Sequence, residues 1–347
     1  MSTMKAMTLV GHGGPEMLEY REDWPRPVAG AGEVLVRVGA CGLNNTDINT
    51  RVGWYAADSS NNGAWGGAAI QFPRIQGADV CGVVEAVGAG ADDSLIGKRV
   101  LIDTWLRDWD NPDNMEKMGY FGSECDGGFA EYTKIDSRHI HPIESPMSDA
   151  ELATFATSYS TAEGMLNRAD VGKNDRVLIS GASGGVGSAL IQLAKRRGAA
   201  VFAMCGESKH EAARELGADA VFSRAPDDLA GELSSAGCDS VSVVADVVGG
   251  EYWPHLINVI ARGGRYVCSG AIAGAHVNFD LRPFYLRNLT FFGSTVLPPG
   301  VFADLVGYVA RGEIRPLLAK TYPLAELNEA QRMFMAKEYF GNIVVIP

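Results

Sequence analysis

Apolar positions change their spacing near the middle of the chain. Up to about residue 150 they fall in short β-rich pieces, MKAMTLV, EVLVRVGACG, GVVEAVG and KRVLID, separated by Gly, Pro and Asp. Beyond that point apolar strands alternate with helical stretches, the pattern of βαβ units on a parallel sheet. The spacing predicts a buried strand over 176–180 (RVLIS), a helix over 188–197, a strand over 199–205 and a helix over 209–216. DAVF, SVSVVADVV and GRYVCSG continue the series, which ends near Gly293. The tail predicts one helix over 326–337 and a last strand, NIVVIP. Two polar, Gly-rich stretches, 57–69 and 108–128, read as loops long enough to rim a cleft.

At 347 residues the chain has room for about two domains. Acidic residues outnumber basic ones 42 to 30, a net charge of −12. Such a surface repels phosphate backbones and anionic lipid, so neither nucleic acid nor membrane is expected as a partner. No apolar run reaches the length of a spanning helix, and the N-terminus reads as no signal peptide; a cytoplasmic protein is expected. The six cysteines are scattered without a CxxC pair and are expected to be reduced.

The strand RVLIS runs into Gly181-Ala182-Ser183-Gly184-Gly185-Val186-Gly187 and then a helix. This is a dinucleotide fingerprint with Ala182, Gly184 and Gly187 in its three glycine positions. Gly184 lets backbone approach a pyrophosphate, Gly187 lets helix and strand pack, and the helix N-terminus offers free N–H groups. A carboxylate that would bind the adenosine ribose is expected about 20 residues on. Gly206 stands there, followed by Glu207, Ser208 and Lys209. Glycine makes room for a 2′-phosphate, Ser208 can donate a hydrogen bond, and Lys209 supplies charge. The reading is NADP(H); Glu207 used as a ribose ligand would return NAD.

Other segments add a resemblance that covers nearly the whole chain. CGLNNTD (41–47) resembles the CGxCxTD segment of zinc alcohol dehydrogenases, and QGADVCGVVEAVG (76–88) their GHExxGxVxxVG segment. DGGFAEY (126–132), SYSTAEG (158–164) and RVGWY (51–55) also resemble family segments, the last that of quinone oxidoreductases. The chain therefore resembles the medium-chain dehydrogenase/reductase superfamily, and within it the zinc-free quinone oxidoreductase group. The resemblance implies an α/β protein of two domains: a GroES-like β-rich catalytic domain, 1–153 with 293–347, and a Rossmann doubly wound parallel sheet, 154–292. An active site between them and a homodimer are family expectations. Thr161 resembles the hydroxyl that borders the nicotinamide. Val248, Ser269 and Gly270, at the ends of later strands, complete the expected cofactor set.

In the zinc enzymes the catalytic metal takes ligands where this chain has Asn44, Ala78 and Thr157. Amide, methyl and hydroxyl do not replace thiolate and imidazole around zinc. Asp79 offers one oxygen, and the loop of the structural zinc holds only Cys125. No metal is expected. Without a Lewis acid, an activated C=C bond or a quinone is an easier hydride acceptor than an ordinary ketone, because charge spreads over an enolate. The expected function is thus a zinc-independent NADPH-dependent oxidoreductase acting on a small carbonyl or quinone substrate. The alternatives are a zinc-independent alcohol or aldehyde dehydrogenase and a non-catalytic NADPH-binding protein. The Asn44 amide is expected to face the reacting carbonyl or the nicotinamide, with Tyr55 a second donor or proton source, and Asp47 the residue that holds the 41–47 turn or orients Asn44. Each has a plainer reading: Asn44 a cap, Tyr55 a packing ring, Asp47 a structural carboxylate. Trp54, Trp65, Trp105 and Trp109 line a cleft or cover loops.

Overall fold

The computed structural model describes residues 2–55, 70–112, 114 and 117–347. The chain divides into two compact units, Met1–Thr157 with Pro298–Pro347, and Ser158–Leu297.

The first unit is built on β-sheet. Its larger sheet has seven strands, with Ile140–Pro142, Arg99–Ile102, Asp79–Val87, Glu33–Gly42, Asn342–Ile346 and Leu318–Pro323 in that order, and Tyr132–Asp136 also on Glu33–Gly42. The C-terminal tail thus supplies two strands beside a strand from near the N-terminus; Val345 pairs with Cys41. Leu18–Pro25, Thr3–Leu9 and Arg74–Ile75 form a smaller sheet. The alternation in EVLVRVGACG gives way to near-continuous burial over Ala40–Gly42, because the strand there is covered on both faces.

The second unit carries six parallel strands in the order Ala220–Phe222, Ala200–Met204, Arg176–Ile179, Val241–Asp246, Ile260–Cys268, Thr290–Gly293. In chain order this is 3-2-1-4-5-6, a doubly wound sheet, and the order reverses beside Arg176–Ile179. The helix Gly185–Arg196 buries every residue from Gly187 to Ala194, so it packs as an interior helix. The strand ends that matter for binding are therefore fixed by the core.

Several elements differ from those expected. The 41–47 segment is not a turn: strand Glu33–Gly42 passes into helix Asn45–Val52, closed by Gly53 at φ 73°. Few apolar residues mark that helix; its buried side chains are Asp47, Ile48, Thr50 and Arg51. The legible signal was Asn44 followed three residues later by Asp47. The tail has a second helix, Val301–Ala310. The stretch read as a loop over 108–128 contains the strand Gly119–Tyr120, paired with Trp105–Leu106. The stretch read as a loop over 57–69 lies outside the described residues, as does Trp65. Among the described residues no helix is long and apolar enough to cross a membrane.

Candidate active site

In the second unit the glycine loop has the form its sequence predicts. Gly181 turns the chain at φ 59°, with Val247 and Val248 packed where a Cβ would stand, at 3.1 and 3.0 Å. A Cβ on Gly187 would lie 2.7 Å from Ala182 Cα, so the helix touches the loop only because that residue is glycine. Ala182 donates its N–H to Met204 and is buried, while Ser183, Gly185 and Val186 are half-buried and Gly184 is exposed. Gly184 is the N-cap of Gly185–Arg196 and makes no side-chain cap, which leaves the first-turn N–H groups to a ligand. Val248 and Ser269 are anchored by Asp246: the Val248 N–H donates to its carboxylate at 2.8 Å and the Ser269 N–H to its carbonyl at 3.1 Å. Gly270 packs on Val247, 3.1 Å from its carbonyl oxygen to a built Cβ. These positions gather at the carboxyl ends of neighbouring strands, where doubly wound sheets bind ligands. Thr161 is half-buried on helix Ala156–Arg168. The residues present fit a dinucleotide.

The end of strand Ala200–Met204 holds a group that the sequence did not single out. A Cβ on Gly206 would meet the Arg224 guanidinium, with Nη2 at 3.2 Å and Nε at 3.4 Å. Lys209 is largely buried; burial and then the Arg224 charge hold its pKa below the ordinary lysine value. Lys209, Arg224 and Arg214 are all close enough to Cys205 to favour its thiolate, though burial outweighs them and raises that pKa. Glu207 and Ser208 are exposed on the short 3-10 turn Glu207–Lys209. A protein of net charge −12 thus gathers cations at one strand end. Arg224 stands 18 residues beyond Gly206, on the far side of a helix and a strand, which is why reading forward from the fingerprint did not reach it.

In the first unit a second polar group is assembled around Asp79. Asn44 caps helix Asn45–Val52, and its backbone N–H donates to Asp47 Oδ2 at 2.7 Å. Gln76 Nε2 donates to the Asp47 carbonyl at 3.0 Å. Asp47 is buried, and burial pushes its pKa up to about 8; Asn44 and Gly77 backbone bonds pull against that, and the Asp79 charge adds to it. Burial also pushes Asp79 up, to about 6, against hydrogen bonds from Thr157 and the Asn44 amide. Thr157 donates its backbone N–H to Asp79 Oδ1 at 2.8 Å and its hydroxyl to the same oxygen. Thr157 Oγ1 lies 2.6 Å from the Tyr120 hydroxyl. Burial raises the Tyr120 pKa well above the ordinary value, with Asp79, Asp47 and Tyr55 adding to it.

Asn44 and Asp47 are therefore brought together, and Tyr55 stands nearby: its hydroxyl is 2.9 Å from Thr46 Oγ1 and accepts from Asn49 Nδ2 at 3.2 Å. Arg51, from the same segment, is buried; it donates to Gln331 and to the Gly13 carbonyl, ties that hold the fold. Asp79 and Tyr120 are the members the sequence reading did not assign to chemistry. They come from two different strands, and no local spacing links them. The tryptophans divide: Trp105 packs edge-on against Tyr120, Trp109 packs on His139 and donates to its Nε2, and Trp54 is half-exposed.

The three positions where the resembled enzymes hold zinc carry Asn44, the fully buried Ala78 and Thr157. Among the described residues no three His, Cys, Asp or Glu side chains converge as a metal site. This donor set does not fit zinc.

A nucleotide-binding sheet joined to a β-rich domain with a polar cluster defines an oxidoreductase of the NAD(P)-binding class. Comparison with known proteins agrees. Residues 30–145 match the family model of the alcohol dehydrogenase GroES-like domain, and residues 185–311 that of the zinc-binding dehydrogenases. A solved structure from Sinorhizobium meliloti 1021, provisionally described as an alcohol dehydrogenase, is 42% identical, with a TM-score of 0.94 over 100% of this chain and 97% of that one. The quinone oxidoreductase of Rattus norvegicus is 25% identical over 94% of this chain and 92% of its own length. The NAD-dependent alcohol dehydrogenase of Sulfolobus acidocaldarius is 27% identical over 94% and 95%. The chain belongs to the medium-chain dehydrogenase/reductase superfamily, with a GroES-like β domain and a Rossmann-type parallel sheet. Its relatives include both quinone and alcohol oxidoreductases.

Proposed function

We propose that this protein is a zinc-independent, NADPH-dependent reductase of quinones or activated C=C bonds. The observation that carries the reading is the replacement of the metal-ligand set by Asn44, Ala78 and Thr157, two of them hydrogen-bonding groups gathered on Asp79. Residues 154–292 are the cofactor domain in this reading. The Lys209–Arg224 pair beside Gly206 supports NADPH over NADH, because two adjacent cations favour a dianionic 2′-phosphate. The bound dinucleotide supplies the hydride. Asn44 has two amide N–H donors, so it can bond Asp79 with one and an acceptor oxygen with the other. Asp47 fixes the backbone at Asn44 and so orients the amide. Tyr55, beyond the C-terminal end of helix Asn45–Val52, reaches back to Thr46 with its hydroxyl and is the further donor. A delocalised enolate or quinol oxygen needs less stabilisation than a full alkoxide, and hydrogen-bond donors can provide it.

The test is reduction of a panel of quinones, enones and aldehydes with NADPH deuterated at the transferred position, alongside elemental analysis of chelator-free protein. Label on the β-carbon of an enone, or quinone reduction, with no stoichiometric zinc, is expected. Label at the carbonyl carbon would favour the alcohol or aldehyde dehydrogenase reading, and tight NADPH binding without turnover a non-catalytic role. One zinc per chain would overturn the mechanism.

A homodimer is part of the same proposal. The strand Thr290–Gly293 ends the parallel sheet, and Ile272, Leu281, Tyr285 and Leu286 nearby in the chain are exposed apolar side chains. Light scattering that returned a monomer mass at micromolar concentration would remove it.

A further inference from the structure

We propose that Tyr120, Thr157 and Asp79 form a proton wire to the reacting oxygen of the substrate, with Tyr120 as the group that touches it. The inference rests on the reductase reading and deepens it by naming the proton source.

A threonine hydroxyl has one proton. The Thr157 hydroxyl donates it to Asp79 Oδ1, so in the contact of 2.6 Å with Tyr120 the donor is the tyrosine. The resting chain therefore runs Tyr120 O–H to Thr157 O–H to Asp79 carboxylate, with every proton pointing the same way. Protonation of Asp79 lets the chain reverse, and all three protons then point toward Tyr120 and whatever its oxygen faces.

The surroundings suit a conducting chain better than a purely structural one. Tyr120 and Asp79 are buried, so bulk water does not short-circuit the chain. The groups that act on Asp79 are hydrogen-bond donors, Thr157 and the Asn44 amide, with no cation among them, and its other charged neighbour is the Asp47 carboxyl. A carboxyl in that setting can hold a proton near neutrality, which an Arg-paired carboxylate does not. The outer member is fixed as well: the Tyr120 N–H donates to Glu124 Oε2 at 2.7 Å, and its ring packs edge-on against Trp105, 5.2 Å between centroids. Tyr120 also lies within electrostatic range of Tyr55 and Asp47. The wire thus ends in the same cluster as Asn44.

The step balances. Once the acceptor carbon has gained hydride, two electrons move from the π bond onto oxygen. That oxygen takes the Tyr120 proton, Tyr120 takes that of Thr157, and Thr157 takes that of Asp79. Asp79 is left as carboxylate and recovers its proton from solvent. In alcohol oxidation the same three protons move the other way. A threonine at a former metal position and the carboxylate it bonds thereby deliver the proton.

The experiment measures single-turnover reduction in mixtures of H2O and D2O. For the native protein the rate is expected to fall along a curve, because more than one proton moves. Thr157→Val breaks the middle link. Its rate is expected to fall about 100-fold, with a straight-line dependence on deuterium content and unchanged NADPH affinity. Thr157→Ser should restore both rate and curvature, which a packing role for the threonine methyl would not allow. Tyr120→Phe should reproduce the valine variant. Native rate and curvature in Thr157→Val would overturn the wire. A second measurement needs no turnover. The infrared carboxylic C=O band that Asp79→Asn removes should move to higher wavenumber in Thr157→Val of the cofactor-free protein. An unmoved band overturns the wire. If no acceptor is reduced at all, the reductase reading fails, and the infrared result alone decides the chain.

Discussion

At the end of strand Ala200–Met204 the charged groups include two neighbouring cations, Lys209 and Arg224, and the guanidinium lies against the place where a Cβ on Gly206 would stand. In the β-rich unit they are carboxylates, Asp47 and Asp79, sealed in the core and holding their protons toward neutral pH. The first arrangement places two like charges together, with Lys209 partly desolvated, and suits a large anion. The second pays heavily in desolvation and gains groups able to exchange a proton in the working range. In the proposed function one region recognises charge and the other handles the charge that the reaction creates. Variants in the two regions should therefore separate affinity from turnover.

The largest effect is expected at Asn44. Asn44→Ala removes the amide that bonds Asp79 and, in the proposed mechanism, the acceptor oxygen. Turnover should fall by about 100- to 1000-fold at most, the range for removing one donor from a site of developing charge. The dissociation constant for NADPH, read by fluorescence, should not change. A loss of affinity as large as the loss of rate would break the division between the regions.

The next effect lies at the cationic end. Arg224→Ala or Lys209→Ala should each cost about 1.5–3 kcal/mol of NADPH affinity, the value of a charged hydrogen bond, and leave NADH affinity nearly unchanged. Gly206→Asp should reverse the preference, since its carboxylate would pair with Arg224 and repel the 2′-phosphate. Native protein that bound both cofactors equally would return the role to Glu207. Raising ionic strength should narrow the preference, weakening NADPH binding more than NADH binding.

The last effect is on stability. Asp47 and Asp79 have folded pKa values raised above the ordinary 3.8, to about 8 and about 6. Well below pH 3.8 both carboxyls are protonated in the folded and unfolded chain alike. Between there and about pH 8 the unfolded chain gives up protons that the folded one retains, so their contribution is lost as pH rises. The melting temperature should be higher near pH 5 than near pH 8.5, by about 2–4 °C for each kcal/mol involved. Asp47→Asn should flatten that slope. A slope unchanged by the substitution would mean that Asp47 ionises without strain.

How far each region could be read from the chain follows from how it is built. The glycine loop is seven consecutive residues whose strand and helix flank it, so its geometry is set by local chemistry: a Cβ forbidden at Gly187, a left-handed turn at Gly181. The parallel sheet follows from the same apolar alternation. The superfamily was legible from motifs spread over the chain, and the missing zinc ligands from single residues within them. Asn44 and Asp47 were legible as a pair but were expected in a turn, because a helix with buried Asp, Thr and Arg has no apolar stripe to announce it.

What the amino-acid order determined by itself, then, is the class of protein, the pyrophosphate loop and the loss of the metal-ligand set. Tertiary structure alone decided that Arg224 stands at Gly206 and that Tyr120, Thr157 and Asp79 share one hydrogen-bonded line. The physical reason is distance along the chain. Local steric rules act within a turn or a strand. A cation 18 residues from the glycine it faces, or a tyrosine 37 residues from its threonine, meets its partner only after sheet pairing has brought separate elements together. Burial then did what no sequence pattern encodes, converting two ordinary aspartates into groups that keep their protons to about pH 6 and 8.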